Sequence, residues 1–420
     1  MRTETSSRIQ EVSRRSFLGL FGAAAGAAVA PGLVSCAAGG PSSSTIKAGS
    51  ILDATGNLAL YGKPMSVAAK AAVKDINDAG GVLGKRLELV SVDTQSQIDK
   101  YTTGARQFAA NRDIAVVHGG VTSASREAMR PVMHASKKLY FYNNLYEGGV
   151  CDLYTYATGG VPTQQIEVLV PYLIETFGPR VYIVAADYNY GRILALWVKK
   201  YLSDKGGELV GEQYFPLEVN EFGDALSRIQ SAQPDVVCSL LVGANHNAFY
   251  TRFEAAGLKS SMGIASTVLG YGGEQATLDG SVVEDIVVAL PYFEEVNTSE
   301  NRRFLRAVRA VDSSVKYVSD NMNSVWTGWH MWAQAVEEAG STDVDAVIEQ
   351  LNRGMTYESP SGTVELVPET HHLTQTMRLA KANNKGGFDI LETVEGVKPV
   401  FELENCNLVD DPSTNGQFTP

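Results

Sequence analysis

The sequence predicts an α/β protein of two lobes, each built on a parallel sheet that helices cover. Its 420 residues, 44% of them hydrophobic, exceed what a single compact core accommodates. Short buried-strand patterns alternate with apolar residues at helical spacing along most of the chain, which is typical of parallel sheets. The alternation begins again near Pro162, so we expect the second half to repeat the architecture of the first.

The first series of elements begins with a candidate strand over 46–52. A helix follows from Pro64, which suits a first helical turn, and Gly80-Gly81 ends it. Beyond that point the apolar spacing predicts strands over 87–92, 114–117 and 139–142 and helices over 98–110 and 125–135.

The second series begins with a helix over 164–176 and a buried strand over 181–185. Its further strands are predicted over 209–214, 236–241 and 287–293, and its further helices over 192–203, 224–232, 247–256, 299–311, 321–339 and 343–353. A late hairpin is predicted from 363–367 and 376–382. The helix over 321–339 carries Trp326, Trp329, Met331 and Trp332 at the spacing of a packed helix face, so we expect them in the core.

The N-terminus has the order of an export signal. Arg14-Arg15 precedes a weakly apolar run over 17–34, which ends in Leu33-Val34-Ser35-Cys36. This order predicts a twin-arginine lipoprotein signal over 1–35 and a lipid on Cys36, with an uncleaved membrane anchor as the alternative. The Gly- and Ser-rich stretch over 36–45 is typical of a flexible tether. We therefore expect an exported protein held at the extracytoplasmic face of a membrane.

Charge and cysteine content narrow the function further. Residues 1–35 hold four arginines against two glutamates, so the formal charge of −12 becomes −14 without them. An acidic chain without a basic, aromatic-interleaved patch argues against a nucleic-acid partner. Beyond Cys36, the chain has Cys151, Cys238 and Cys406; one disulfide is possible, and spacing does not choose the pair. Cys238 lies in a buried-strand pattern and is expected in the core.

Sequence signatures of catalysis are missing. The chain has no G-x-S-x-G elbow, no H-E-x-x-H, no phosphate-binding G-x-x-x-x-G-K-[ST] and no C-x-x-C pair. His371 and His372 are adjacent near the hairpin and are expected to point to opposite faces, which disfavours a metal pair. We therefore expect no catalytic residues, no metal and no cofactor.

Candidate ligand-binding residues follow the ends of predicted strands, because ligands of open α/β sheets bind at the carboxyl ends of the strands. Val121, Thr122 and Ser123 follow the strand over 114–117 and open a helix. Backbone N–H groups and hydroxyls there suit a carbonyl oxygen or a carboxylate. Capping of the helix by Ser123 or Ser125 is the alternative, and the two roles are compatible.

Aromatic candidates follow two further strands. Tyr142, Asn144 and Tyr146 come at and after the strand over 139–142, and Tyr188 and Tyr190 come after the strand over 181–185. Aromatic walls with phenol hydroxyls exclude water and still offer hydrogen bonds, which suits a small neutral polar molecule. Packing of these tyrosines at the lobe edges is the alternative interpretation.

Several of these residues also carry a family resemblance. From roughly residue 46 to residue 390 the chain resembles periplasmic solute-binding proteins of the branched-chain amino-acid-binding type, and within that type the amide- and urea-binding branch. The matching stretches are Ile76-Asn77-Asp78-Ala79-Gly80-Gly81-Val82-Leu83-Gly84, Thr122-Ser123-Ala124-Ser125-Arg126, Tyr146-Glu147-Gly148, Pro162-Thr163-Gln164-Gln165, Asp187-Tyr188-Asn189-Tyr190 and Ser359-Pro360-Ser361-Gly362.

The resemblance implies a type I fold with two Rossmann-like lobes and a hinge of three crossovers, which we place near residues 161, 291 and 357. Lobe 1 would then hold 46–161 and 292–357, and lobe 2 would hold 162–291 and 358–400, with 401–420 as a C-terminal tail. It also implies capture of a short-chain amide or urea for an ABC permease and ATPase encoded elsewhere. In this arrangement Ser123, Tyr142 and Tyr146 line the first lobe, while Tyr188 and Tyr190 close from the second.

Departures from the amide-binding pattern leave other ligands open. Val121 stands where that pattern has a large residue, Asn143-Asn144 follows Tyr142 in place of proline, and Gly191 follows Tyr190 in place of proline. An amino-acid binder is the nearest alternative, with an acid such as Glu147, Asp187 or Glu274 receiving the ammonium group. An amide sensor that controls a regulator is the second alternative, and an exported hydrolase is a third.

Overall fold

The computed structural model of the chain describes residues 45–420. The predicted signal peptide over 1–35, the predicted lipid-attachment residue Cys36 and all but the last residue of the predicted tether over 36–45 lie outside the described residues.

The first sheet has five parallel strands, in the order β2-β1-β3-β4-β6. This part of the chain contains β1 (Thr45–Leu52), α1 (Ala59–Asp78), β2 (Arg86–Asp93), α2 (Ile98–Ala110), β3 (Ile114–Gly119), α3 (Ser123–Ala135), β4 (Tyr140–Tyr142), β5 (Val150–Asp152) and β6 (Thr155–Ala157), of which β5 lies outside the first sheet. The predicted order of strands and helices in the first half is thus confirmed, but α1 begins at Ala59, so Pro64 lies inside the helix and not in its first turn, and the short strands β5 and β6 were not predicted. All the parallel strands end at one edge of this sheet, which gathers the loops after β3 and β4.

The second series forms another parallel core. Its elements are α4 (Pro162–Thr176), β7 (Arg180–Ala186), α5 (Asn189–Lys205), β8 (Glu208–Phe215), α6 (Gly223–Ala232), β9 (Val236–Leu240), α7 (Ala244–Ala255), β10 (Gly263–Ser266), α8 (Gly280–Val283) and β11 (Val287–Leu290). Strands β8, β7, β9, β10 and β11 are neighbours in that order and pair in parallel. The carboxyl end of β7 therefore presents residues 187–190 at an edge of its own.

The remaining chain returns to both cores. Its elements are α9 (Ser299–Val311), α10 (Asp320–Ala339), α11 (Val344–Leu351), β12 (Thr356–Ser359), β13 (Gly362–Val367), β14 (His372–Ala382), β15 (Phe388–Val397), α12 (Val400–Asn405) and β16 (Asn415–Gln417). Helices α9 and α10 pack on α1, whereas β12 to β15 extend the second sheet. The chain thus crosses from the elements around one sheet to the elements around the other at three places: 158–161, 291–298 and 352–355.

Two expectations for the C-terminal part need correction. The second sheet is mixed, because β14 pairs antiparallel with β11, β13 and β15. The connection from β13 to β14 is too short for a parallel crossover, so the strands form the predicted hairpin; its second strand starts at His372, where residue 376 was predicted. The region over 401–420 is not a plain tail, since it contains most of α12 and β16, and β16 pairs with β5.

The aromatic face of α10 lies in the core, as its spacing predicts. Trp326, Trp329, Met331 and Trp332 are all buried. The Trp329 ring stacks on His118 at the end of β3 with ring centroids 4.1 Å apart. This contact fixes α10 against the strand that leads into α3.

The cysteine pairing, which the sequence left open, joins Cys151 to Cys406. Cys151 lies on β5, and Cys406 directly follows α12. Cys238 is buried on β9 as a free thiol, which confirms its predicted place in the core. Within residues 45–420, every helix is too short or too polar to cross a membrane.

Candidate functional site

The turn from β3 into α3 requires two glycines. Gly119 and Gly120 have φ of +151° and +84°, the region that L side chains rarely adopt. A Cβ on Gly119 would lie 2.2 Å from the Ile51 carbonyl oxygen, and a Cβ on Gly120 would lie 2.8 Å from the Tyr140 hydroxyl. Only glycine therefore lets the chain turn tightly enough to place Val121, Thr122 and Ser123 at the sheet edge.

Thr122 and Ser125 cap α3 reciprocally. The Thr122 hydroxyl accepts from the Ser125 N–H at 3.2 Å, and the Ser125 hydroxyl accepts from the N–H groups of Val121 and Thr122, each at 2.9 Å. The capping alternative is therefore realised by Thr122 and Ser125, while Ser123 is the first helical residue. The N–H groups of Val121 and Thr122 are already used within the turn.

Removing the cap has a modest, measurable cost. We expect Thr122→Ala to lower the free energy of unfolding by about 1 kcal/mol, as for other N-cap threonines. Urea unfolding followed by far-UV circular dichroism measures this loss. Thr251→Ala is the matched control, because the exposed Thr251 hydroxyl bonds only within its own helix. A Thr122 variant as stable as the control variant would contradict the capping role.

Ser123 belongs to a buried polar cluster. Its hydroxyl donates to Glu147 Oε2, and Arg126 Nη2 donates to Glu147 Oε1 at 2.8 Å. The side chains of Arg126 and Glu147 are 1% and 0% exposed. Burial acts to raise the pKa of Glu147, but the Arg126 charge and the hydrogen bonds outweigh it, so the pKa is lowered. Glu147 is therefore an ionised carboxylate that holds the Ser123 hydroxyl in one orientation.

Two tyrosines flank the Arg126 guanidinium. Its carbon lies 5.3 Å from the centre of the Tyr142 ring and 4.7 Å from that of Tyr146, within cation–π range. The Tyr146 hydroxyl lies 2.5 Å from His372 Nε2. Since His372 Nδ1 donates to the Thr370 carbonyl at 2.7 Å, we assign Nε2 as the acceptor and Tyr146 as the donor. His372, on β14 of the second sheet, thus holds Tyr146 in place beside Arg126.

Asn144 links the two sheets. Its amide donates to the carbonyls of Gly120 and Val121 at 3.1 and 2.6 Å. Its carbonyl accepts from the hydroxyl of Tyr271, which follows β10, and the Leu145 N–H donates back to that hydroxyl at 2.9 Å. Both ends of the Asn144 side chain are therefore used by the protein itself.

Tyr188 and Tyr190 meet the first-sheet cluster from the second sheet. Their ring centroids lie 6.1 Å apart at the start of α5, and α5 contacts α3. Burial raises the pKa of both hydroxyls, and the nearby charge of Glu147 raises it further. The Tyr190 hydroxyl donates to Thr267 Oγ1 at 3.0 Å. All eight residues predicted to bind ligand thus lie where the two sheet edges face each other, six from the first and two from the second.

Residues that the sequence reasoning did not single out complete this region. The rings of Tyr61 and Tyr271 are tilted against each other with centroids 5.9 Å apart, and the Gly243 N–H donates to the Tyr61 hydroxyl at 2.9 Å. The position of Tyr271 after a strand, between glycines, is the same signal that pointed to Tyr188. Arg126 lies in one of the stretches that carry the family resemblance, but the sequence analysis gave it no role. No pattern in the sequence around Gln417 indicated that it would lie near the site.

The acids considered for an ammonium ligand differ in their surroundings. Glu147 is paired with Arg126, and Asp187 receives a hydrogen bond from Arg192 Nε at 2.6 Å on the surface. Glu274 is fully buried and accepts from the N–H groups of Gly270 and Gly272 at 3.0 and 3.1 Å. Burial raises the pKa of Glu274 to about 7. Among residues 45–420, no cluster of three or more His, Cys, Asp or Glu could hold a metal ion.

Comparison with known proteins identifies relatives that match only part of this chain. The chain is 28% identical over 211 residues to the Leu/Ile/Val-binding protein homolog 6 of Brucella abortus, covering 49% of this chain and 54% of the relative. It is 25% identical over 271 residues to homolog 7 of the same species, covering 59% and 64%. The alignments thus span about half to two thirds of these curated relatives.

Solved structures share the fold over nearly their whole length. A solute-binding protein of an ABC transporter from Rhodopseudomonas palustris BisB5, in complex with 3,4-dihydroxybenzoic acid, has a TM-score of 0.76 at 22% identity. That match covers 85% of this chain and 99% of the other. An amino acid ABC transporter substrate-binding protein from Pseudomonas fluorescens Pf-5 has a TM-score of 0.75 at 19% identity, covering 87% and 99%. These similarities confirm the predicted α/β fold of two lobes.

A family model described as a periplasmic binding protein domain matches residues 46–401. The match covers both sheets and the region where their edges meet. A family of binding proteins also agrees with the prediction that the chain is not an enzyme. The chain therefore belongs to the periplasmic binding protein family, as its resemblance to the branched-chain amino-acid-binding type predicted.

Proposed function

We propose that this protein is the extracytoplasmic solute-binding component of an ABC importer and captures a short-chain amide, urea or a similar small neutral compound between its lobes. A permease and an ATPase encoded elsewhere would receive the ligand, and Cys36 would carry the lipid that anchors the protein. The Cys151–Cys406 disulfide supports an oxidising, extracytoplasmic location.

The ligand class rests on the direction of one hydrogen bond. Because the ionised Glu147 accepts the Ser123 proton, the Ser123 oxygen is left to accept a hydrogen bond. The Tyr190 oxygen is likewise left to accept a hydrogen bond, since the Tyr190 hydroxyl donates its proton to Thr267. Two acceptor oxygens suit the N–H groups of an amide or urea, whereas a carboxylate offers no proton to either.

A carbonyl oxygen of the ligand also has a matching donor. Arg126 Nη1 is buried without a hydrogen-bond partner among the described residues. The Arg126 charge itself is balanced by Glu147 and by Glu127, which accepts from Nε at 2.9 Å. A neutral amide therefore fits the charge balance of the cluster without leaving an uncompensated buried charge.

Binding would couple to lobe closure. Two hydrogen bonds already join the elements around one sheet to those around the other. Tyr271 donates to Asn144, and the Gly243 N–H donates to Tyr61. A ligand that bridges Ser123 and Tyr190 adds contacts that exist only when the lobes are together, and so shifts the population toward the closed form. This closed form would be the one that the permease recognises.

An amino acid is the second candidate, supported by Glu274 and by the names of the Brucella relatives. One carboxylate oxygen of Glu274 has no hydrogen-bond partner among the described residues, so it could receive an ammonium group. Glu274→Gln removes that charge while keeping its shape. If Glu274→Gln loses leucine binding and retains acetamide binding, Glu274 receives the ammonium group of leucine. That result would support the amino-acid interpretation for leucine only.

A thermal-shift and calorimetry panel tests the proposal on the purified protein. The panel contains acetamide, propionamide, urea, leucine and 4-hydroxybenzoate. A ligand at 100 times its Kd stabilises the folded protein by about 2.7 kcal/mol, which gives a clear rise in Tm. A response to leucine or 4-hydroxybenzoate alone, or to none, would refute the amide assignment, and recovery in the cytoplasmic fraction would refute the location.

Ser123 gives the sharpest variant for this site. We expect Ser123→Ala to weaken amide binding about 3- to 10-fold, the range for one neutral hydrogen bond. Ser231→Ala is the matched control, because the exposed Ser231 hydroxyl bonds only within its own helix. Isothermal titration with the amide that responds in the panel measures the difference. Equal Kd values for the two variants would show that the Ser123 hydroxyl does not contribute to ligand binding.

A further inference from the structure

The C-terminal segment over 406–418 lies against the buried polar cluster of Ser123, Arg126 and Glu147. Strand β16 pairs antiparallel with β5, with Gly416 opposite Cys151 and Gln417 opposite Val150. The Phe418 N–H donates to the Gly149 carbonyl at 2.8 Å, and the Leu408 N–H donates to the Glu369 carbonyl at 2.8 Å. The Cys151–Cys406 disulfide fastens the beginning of the segment to the strand that its end pairs with.

The two glycines after Glu147 make room for this segment and for α12, which directly precedes it. Gly149 has φ of +82°, and a Cβ there would lie 1.9 Å from the Phe418 carbonyl oxygen. A Cβ on Gly148 would lie 2.6 Å from Glu402 Oε1, which accepts from the Gly149 N–H at 2.9 Å. The backbone directly after Glu147 is thus shaped to contact α12 through Gly148 and the C-terminal segment through Gly149.

Gln417 joins both members of the buried ion pair. Its amide nitrogen donates to Glu147 Oε1 at 2.7 Å and to the Gly148 carbonyl at 2.9 Å. Its amide oxygen accepts from Arg126 Nη2 at 3.0 Å. One side chain therefore satisfies a donor and an acceptor of the pair together.

We propose that Gln417 is a positioning residue of the ligand site and that the disulfide-fastened segment over 406–418 is a strap that completes the site from behind. Gln417 fixes Glu147, Glu147 fixes the Ser123 hydroxyl, and the Ser123 oxygen meets the ligand. This inference rests on the proposed function for its readout. It adds to the eight predicted residues one that lies 270 positions beyond Glu147 in the chain.

The test is a double-mutant cycle on ligand affinity, using the amide that responds in the panel. We expect Gln417→Ala to weaken binding about 3- to 10-fold and no more than Ser123→Ala does, since its effect on the ligand passes through the Ser123 hydroxyl. Because Gln417 acts through Ser123, the variant that combines Ser123→Ala with Gln417→Ala should bind as weakly as Ser123→Ala alone. A purely structural role predicts independent effects that multiply.

Two further variants keep the test decisive. Gln417→Glu places a second carboxylate beside Glu147 and should weaken binding more than Gln417→Ala. Thr414→Ala is the control on the same segment, because the Thr414 hydroxyl donates only to Asp411. A Gln417→Ala protein that binds as tightly as Thr414→Ala, or fully multiplicative effects in the cycle, would overturn the inference. A wild-type protein that binds no ligand in the panel would instead refute the proposed function.

Discussion

Arg126→Ala is expected to lower the free energy of unfolding by about 3–5 kcal/mol, the range for removing one partner of a buried ion pair. The substitution leaves the carboxylate of Glu147 buried, with only Ser123 and Gln417 donating to it. Urea unfolding at neutral pH measures the loss. Lys200→Ala is the control, because Lys200 and Asp204 form an exposed pair within one helix and such a pair contributes about 0.3–0.5 kcal/mol.

The loss should also depend on pH. The pKa of Glu147 is lowered in the folded protein, so its contribution to stability is present above the unfolded pKa of about 4.3 and disappears as pH falls through the folded pKa. In the Arg126→Ala protein, burial is no longer outweighed and the pKa of Glu147 rises. The difference between wild type and variant should therefore shrink in acid. A constant difference from pH 7 to pH 3 would contradict the assigned pairing.

Loss of the Cys151–Cys406 disulfide has the second large expected effect. The bridge spans 255 positions, so its removal releases a long constraint on the unfolded chain. We expect the variant with Cys151→Ser and Cys406→Ser to unfold with about 2–5 kcal/mol less free energy than wild type.

A reductant provides the matched control for this effect. It should lower the Tm of the wild-type protein toward that of the double serine variant and leave the variant unchanged. The remaining cysteine of the core, Cys238, is buried and free, so it supplies no second bridge within the described residues. A wild-type protein with the same Tm in oxidant and reductant would show that the disulfide contributes nothing.

Elements with a strong apolar period were predictable. Strand β3 and helix α10 appear where the spacing of buried residues places them, because the periods of strands and helices are local properties of the chain. The edge to which β3 and β7 deliver Ser123 and Tyr188 follows from the parallel pairing of their strands. The late hairpin was also predicted and is confirmed by the antiparallel pairing of β13 with β14. What failed was the tail over 401–420, where a three-residue strand pairs far from its neighbours in sequence.

Candidate residues with long-range partners were beyond such reasoning. Gln417 carries no pattern of its own, and its role exists only because β16 pairs with β5. Asn144 looked like a ligand residue from its place after a strand, but its side chain is used by Gly120, Val121 and Tyr271. Hydrogen-bond partners of this kind depend on packing between distant segments, which a single sequence does not reveal.

The sequence by itself determined the class of protein: repeated strand–helix periods, glycines at the β3–α3 turn and tyrosines after strand ends are enough to indicate two α/β lobes with a site between them. Only the tertiary structure decided which way the Ser123 hydroxyl points, which cysteines join and which residue from the end of the chain supports the site. The reason is that periodicity follows from bonds between near neighbours, whereas the direction of a buried hydrogen bond depends on every group that packs around it.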